Sequence, residues 1–174
     1  GKAAPKKEPT VATVRCGGTC EKRPRTNTYI GATSCAIASS LYVGETGCAY
    51  GCLGYGDCVA ACAFDAIHVV NGIAVVDKEK CKACGKCVEA CPKKLIDMVP
   101  YSAKYLVSCN SKDKGPVAMK ACTNACIGCQ LCAKNCPAEA ITVADFLAEI
   151  DYSKCMNCGT CLEKCPKKAI IVKE

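Results

Sequence analysis

Residues 126–137 read CIGCQLCAKNCP. The pattern C-x2-C-x2-C-x3-C-P stands twice more, as CKACGKCVEACP at 81–92 and CMNCGTCLEKCP at 155–166. A loop with three cysteines at this spacing can curl so that three sulfurs point at one centre. Its N–H groups face the same centre, and Gly85, Gly128 and Gly159 let the backbone approach closely. The fourth cysteine, three residues on and followed by proline, opens a turn that points away. Such spacing is that of 4Fe-4S ligation, in which the fourth cysteine serves a neighbouring cluster.

A fourth copy is incomplete. Residues 48–62 read CAYGCLGYGDCVAAC, with Tyr55 where the middle cysteine should stand. The register is set by a repeat: Cys35, Cys48, Cys52, Cys58, Cys62, Cys81, Cys84, Cys87 and Cys91 recur 74 residues later as Cys109, Cys122, Cys126, Cys132, Cys136, Cys155, Cys158, Cys161 and Cys165. The chain is therefore a duplicated unit, roughly 33–98 and 107–172.

The crossing rule predicts the ligand sets. Cluster II takes Cys62, Cys81, Cys84 and Cys87; cluster III takes Cys126, Cys129, Cys132 and Cys165; cluster IV takes Cys136, Cys155, Cys158 and Cys161. Cluster I has Cys52, Cys58 and Cys91 and lacks one ligand, for which Cys48 is the expected replacement, with Gly51, Gly54 and Gly56 making its loop pliable. The repeat favours a rival: thiol pairs Cys35 with Cys48 and Cys109 with Cys122, because Cys122 precedes a unit that already has its ligands. Cys16, Cys20, Cys35, Cys109 and Cys122 are left as extra thiols: buried free cysteine is the plain reading of Cys16, Cys20, Cys35 and Cys109, and a fifth cluster or a zinc site built from Cys16, Cys20 and Cys35 with another sulfur is the alternative. Zinc is the competing metal, but it is usually held by paired cysteines rather than by three evenly spaced ones and a distant fourth.

Composition agrees with metal use. The 174 residues include 21 cysteines, two Phe and no Trp, so a large apolar core is not available. An odd cysteine count precludes complete internal disulfide pairing, and local clustering suits metal better. The formal charge of +7 ordinarily points to nucleic acid or an anionic surface. Four thiolate-ligated clusters at about −2 each bring it to about −1, so the lysines compensate buried charge and no nucleic-acid partner is expected. No apolar run long enough to span a membrane is present.

Between the cysteines the signals are short. Asn71-Gly72 predicts a hairpin joining Ile67–Val70 to Ile73–Val76, and 141–150 repeats it. Val88-Glu89-Ala90 and Leu162-Glu163-Lys164 each suit one helical turn. The expected fold class is α+β: two tandem ferredoxin-like lobes, each with two clusters, behind a cysteine-bearing N-terminal extension. The expected boundaries are a flexible linker at 1–12, the extension at 13–47, lobe 1 at 48–100, a connector at 101–121 and lobe 2 at 122–174. His68 is read as a strand side chain, and Asp57 and Asp65 as turn caps. Lys93, Lys94, Lys167 and Lys168 are either a docking surface for an acidic partner or a solvated face.

Each unit resembles a bacterial two-cluster ferredoxin. The stretches VATVRCGGTC (11–20), RPRTNTYIGATSCAIASSLYVGETGCAYGCLGYGDC (23–58) and VSCNSKDKGPVAMKACTNACIGCQLC (107–132) together resemble the B subunit of the Rnf electron-transport complex. The resemblance implies an electron-transfer subunit without catalytic residues of its own, part of a ferredoxin:NAD oxidoreductase coupled to Na+ or H+ transport. It implies reduced soluble ferredoxin as donor and other Rnf-type subunits as partners, while the cysteine spacing itself gives four 4Fe-4S clusters with a fifth metal site possible. It also implies a place on the cytoplasmic side of the membrane, through an N-terminal anchor preceding this soluble region. A ferredoxin-like subunit of a soluble oxidoreductase and a zinc-stabilised interaction module are the alternatives.

Overall fold

A computed structural model of the protein describes residues 8–173. The first lobe runs β1 (Thr10–Val14), α1 (Cys35–Leu41), α2 (Asp57–Ala60), β2 (Ile67–Val70), β3 (Ile73–Val76), α3 (Lys86–Ala90) and β4 (Ile96–Pro100). The second runs β5 (Tyr105–Val107), α4 (Gly115–Ala121), α5 (Leu131–Lys134), β6 (Ile141–Ala144), β7 (Leu147–Ile150), α6 (Thr160–Lys164) and β8 (Ile170–Val172). In each lobe the outer strands pair antiparallel, β1 with β4 and β5 with β8, and the inner strands form a hairpin.

The hairpins follow from their turns. Asn71 and Gly72 both have positive φ, 49° and 80°, which gives the twist that matches two antiparallel strands. The second hairpin repeats this with Asp145 and Phe146, although a bulky residue there carries a steric cost. The short helices α2, α3, α5 and α6 each begin just after a left-handed residue, Gly56, Gly85, Gln130 and Gly159. That backbone reversal ends each cysteine loop and starts the helical turn.

Each core is thin. Ala12, Ile67, Ala74 and Ile96 surround Cys58 and Cys87 in one lobe; Val107, Ile141, Leu147 and Ile170 surround Cys132 and Cys161 in the other. So few aliphatic side chains cannot offset the entropy of ordering the loops around them. Cross-linking through the cysteines has to supply the difference.

Two expected boundaries change. Residues 10–12 lie in β1 rather than in a flexible linker, while residues 1–7 fall outside the described residues. Likewise β5 and α4 occupy much of the stretch expected to be a connector. The reason is pairing: Val11 faces Val99, and β4 would otherwise present Ile96 and Val99 on an uncovered edge. Residues 16–47 are thus an insertion within lobe 1, between its first strand and its first cysteine loop.

The insertion and the lobes are fastened together. Gly17 N–H donates to Ser108 O (2.8 Å) and Thr123 N–H to Lys22 O (2.9 Å). Arg15 bridges Asp97 of its own lobe (3.1 Å) and Glu149 of the other (3.4 Å), and Lys173 Nζ donates to Pro100 O and Tyr101 O.

Candidate metal centres

Four groups of cysteines converge. Cys62, Cys81, Cys84 and Cys87 line one apolar cavity, with Ala12 and Met98 in its wall. Cys126, Cys129, Cys132 and Cys165 line a second, against Val107 and Ile170. Around Cys161, the sulfurs of Cys155, Cys158 and Cys136 are near enough to raise its thiol, after burial itself, to about 11. In each group one cysteine arrives from the other loop of the lobe, as the crossing rule expects.

The group in the incomplete loop differs from expectation. Cys52, Cys58 and Cys91 share a cavity with Cys35, against Val14, Leu53 and Ile96, and Cys48 is not part of its lining. Burial pushes the Cys58 thiol up to about 12, with Cys52, Cys35 and Cys91 adding to the rise. The cause of Cys35's position is a tether. Asp57 accepts the backbone N–H groups of Cys35 (2.8 Å) and Ala36 (2.9 Å) and the hydroxyl of Ser34 (3.0 Å), which fixes the start of α1 beside α2. Asp57 thus caps a helix supplied by the insertion.

Tyr55 does not face the cavity as a substitute ligand. Its hydroxyl lies 3.0 Å from that of Tyr42, and Tyr29 stacks on Tyr42 with ring centroids 4.9 Å apart. Burial and the Tyr42 hydrogen bond raise its phenol. The side chain therefore pins the insertion to the loop from which a ligand is missing.

All four loops share one backbone. The second and fourth residues after the first cysteine have positive φ: Gly54 and Gly56, Ala83 and Gly85, Gly128 and Gln130, Asn157 and Gly159. Alternation of this kind turns successive N–H groups toward one concavity that favours anionic groups. The incomplete loop keeps it, so losing the middle cysteine has not cost the curl. The crossing cysteines are also held from behind: Cys91, Cys136 and Cys165 accept the N–H of the residue four positions on, at 3.4, 3.4 and 3.3 Å.

The donor chemistry and the cavities fit a polynuclear iron-sulfur group. Four sulfurs each about 2.3 Å from one zinc ion fall within roughly 4 Å of one another. Among the described residues no three Cys, His, Asp or Glu side chains draw together tightly enough for a single ion. Thiols pushed up by burial also need a compensating positive centre before they can serve as thiolates.

The remaining cysteines are not scattered. Burial raises the thiols of Cys48 and Cys109, and the sulfurs of Cys16 and Cys122 add to the rise at Cys48 as those of Cys126 and Cys48 do at Cys109. Cys20 is exposed, its N–H bonded to Asn71 O (2.9 Å). His68 is a half-exposed side chain on β2, 3.6 Å from Asp65, and Asp65 also pairs with Lys80. Lys93 is turned inward, donating to Val43 O and Ala49 O, so it fastens the insertion instead of offering a docking charge. Lys94 and Lys168 are exposed.

Comparison with known proteins places these groups in context. A family model described as "4Fe-4S dicluster domain" matches residues 80–140 and 125–169, and a second of the same description matches 48–92. The chain belongs to the 4Fe-4S dicluster domain family. This dicluster chain is 48% identical over 145 residues to the B subunit of the Na(+)-translocating ferredoxin:NAD(+) oxidoreductase complex of Acetobacterium woodii, covering 83% of this chain and 44% of that protein. It is 49% identical over 154 residues to the B subunit of the proton-translocating ferredoxin:NAD(+) oxidoreductase complex of Clostridium ljungdahlii, covering 88% and 54%. To the B subunit of the ion-translocating oxidoreductase complex of Methanosarcina acetivorans it is 43% identical over 142 residues, covering 81% and 54%. The chain spans about half the length of these curated relatives.

Two features of this dicluster chain are not legible in its sequence motifs. One is Arg23, which is buried at 7% exposure among cysteines and does not belong to any motif. The other is that Cys16 and Cys109 are counterparts, a relation that the 74-residue register hides. Its trace in the sequence is the V-x-C ending of both first strands, Val14-Arg15-Cys16 and Val107-Ser108-Cys109.

Proposed function

We propose that this chain is the iron-sulfur relay region of the B subunit of an Rnf-type complex, accepting electrons from reduced ferredoxin and passing them toward NAD reduction coupled to ion transport. The observation that carries this reading is the convergence of four cysteines at each of three apolar cavities, with the sulfurs of Cys136, Cys155 and Cys158 close enough to Cys161 to act on its thiol as a fourth group. Cluster II is held by Cys62, Cys81, Cys84 and Cys87, cluster III by Cys126, Cys129, Cys132 and Cys165, and cluster IV by Cys136, Cys155, Cys158 and Cys161. Cluster I is held by Cys35, Cys52, Cys58 and Cys91, with Cys35 in the place first expected of Cys48.

Bound 4Fe-4S groups supply reversible one-electron chemistry. The protein's own residues do the rest. Left-handed loop residues turn N–H groups toward the sulfurs, aliphatic side chains exclude water, and buried packing sets the local dielectric, all of which tune potential. No nucleophile or base is assigned a part. Other subunits of the complex and ferredoxin are the proposed partners, and the cytoplasmic face of the membrane the proposed location. Among the described residues no helix is long and apolar enough to cross a membrane.

Anaerobic iron and sulfide counting, with EPR of the dithionite-reduced protein, tests the reading. About sixteen irons or more per chain are expected; about twelve or fewer would sink it, at four irons per cubane.

A further inference from the structure

Clusters II and IV are equivalent in the 74-residue repeat, yet the rims of their loops differ. Between its first and third cysteines the loop at 81–87 carries Lys82 and Lys86, where the loop at 155–161 has Met156 and Thr160. The loop at 126–132 holds no charged residue, and the loop at 52–58 holds Asp57, which caps α1. Exposure of the sulfur alone does not distinguish the loops, because Cys84, Cys129 and Cys158 are all exposed. At Cys84, however, an exposed lysine stands on either side. Among the described residues neither Lys82 nor Lys86 forms an ion pair. Asp65 is engaged with Lys80 and Glu79 with the Tyr101 hydroxyl, both at 2.9 Å, while Glu89 recurs as Glu163 and is common to both loops.

The backbone beside Cys84 is also open. A Cβ at Gly85 would meet nothing within 4 Å, whereas at its repeat partner Gly159 it would lie 2.7 Å from the Tyr105 hydroxyl. Lobe 1 has Ala12 in the place of Tyr105, each two residues before the V-x-C ending of its first strand. The cluster IV loop is tied down further. Asn157 accepts the Lys104 N–H (2.9 Å) and donates to Ser102 O (3.3 Å), and lobe 1 has Ala83 at that position. Phe64 completes the rim of the open loop: it lines the same cavity as Cys84, is 43% exposed, and has Ala138 as its repeat partner.

Charge balance does not account for these lysines. Two clusters of one type carry the same charge, so compensation calls for cations at both equivalent loops. A cationic rim with an exposed aromatic ring suits contact with an acidic protein, because opposite charge steers the encounter and the aromatic group anchors it. An anionic lipid surface gains nothing from a sulfur ligand at the centre of its patch. An electron carrier requires one there.

We propose that the loop bearing Lys82 and Lys86, with Phe64, is the docking surface for an acidic iron-sulfur electron carrier, and that cluster II is where electrons enter. The inference rests on the relay proposed above and gives it a point of entry. One electron leaves the carrier's reduced cluster and one arrives at the centre held by Cys62, Cys81, Cys84 and Cys87, with no bond formed or broken and no proton moved.

The unaltered, cluster-loaded chain and an oxidised bacterial two-cluster ferredoxin as probe test this, so that binding is read without electron transfer. Carbodiimide joins lysine amines to carboxylates in contact, and the expected cross-links fall on Lys82 and Lys86. In calorimetry at low salt Lys82→Glu/Lys86→Glu should bind the ferredoxin roughly tenfold more weakly than the unaltered chain, a difference that shrinks as salt is raised. Lys82→Gln/Lys86→Gln should weaken binding in the same direction, and Lys120→Glu/Lys134→Glu, an equal charge reversal on lobe 2, should not. Cross-links confined to other lysines, or one affinity for both charge-reversed variants, overturn the proposal. So does adsorption of the unaltered chain to phosphatidylserine vesicles through Lys82 and Lys86 with no ferredoxin bound. The cross-link map on the unaltered chain decides the matter even where the variants fail to fold. Iron counting on the same sample keeps the two readings apart: about sixteen irons without ferredoxin at this loop overturn the docking surface alone, and about twelve or fewer overturn the relay.

Discussion

Asp57 accepts the backbone N–H of Cys35 at 2.8 Å, so a carboxylate in one cysteine loop fixes the proposed ligand 22 residues earlier. Asp57→Ala releases the start of α1 and should cost cluster I, lowering iron by about four per chain. Cys35→Ala should do the same, whereas Cys48→Ala should leave the cluster I spectrum in place. EPR of the reduced variants checks this, and loss of cluster I in Cys48→Ala alone would reverse the assignment.

Tyr55 sits between two left-handed glycines in the loop geometry that in the other three loops carries a cysteine. Tyr55→Cys should therefore rescue Cys35→Ala, restoring about four irons per chain. The double variant keeping the low iron content of Cys35→Ala would show that the loop cannot direct a sulfur from position 55.

Gly54 and Gly85 share a φ of 77° but differ in surroundings. A Cβ at Gly54 would lie 2.8 Å from Gly72 O, while at Gly85 nothing lies within 4 Å. Gly85→Ala should cost about 1 kcal/mol, the conformational penalty alone, and Gly54→Ala distinctly more. Midpoints of anaerobic thermal unfolding should rank unaltered, Gly85→Ala, Gly54→Ala, and equal midpoints for the two variants would contradict the close approach.

Arg15 links Asp97 to Glu149 across the lobes with the carboxylates well exposed. Arg15→Ala should lower stability by no more than about 1 kcal/mol, and by less as salt is raised. Unfolding at low and high ionic strength measures it.

Stripping iron and sulfide should unfold both lobes together, because each core holds only a handful of aliphatic side chains around its cysteines. Far-ultraviolet circular dichroism would report the loss; an apoprotein with intact hairpins would show that the cores suffice.

What could be read from sequence was local. The three complete cysteine loops, the hairpin at Asn71-Gly72 and the single helical turns after the loops follow from spacing and turn chemistry within a dozen residues. What could not be read depends on distant partners. Thr10–Val14 becomes a strand only because Ile96–Pro100 needs an edge covered. Cys35 becomes a ligand candidate through Asp57, whereas the constant offset of 74 pairs it with Cys109, which holds a different place in its lobe. Hydrogen bonds, and not residue counting, make Cys16 the counterpart of Cys109.

The pairing of Thr10 with Pro100 also sets a schedule for biogenesis. The strand Thr10–Val14 must wait for about ninety later residues to leave the ribosome, and closing so long a loop is slow. Until then Cys58 and Cys87 lack the part of their wall that Ala12 and Ile96 supply. On the proposed relay, iron-sulfur delivery to the first lobe is then expected late, and a nascent chain halted before residue 96 should show thiols more open to oxidants.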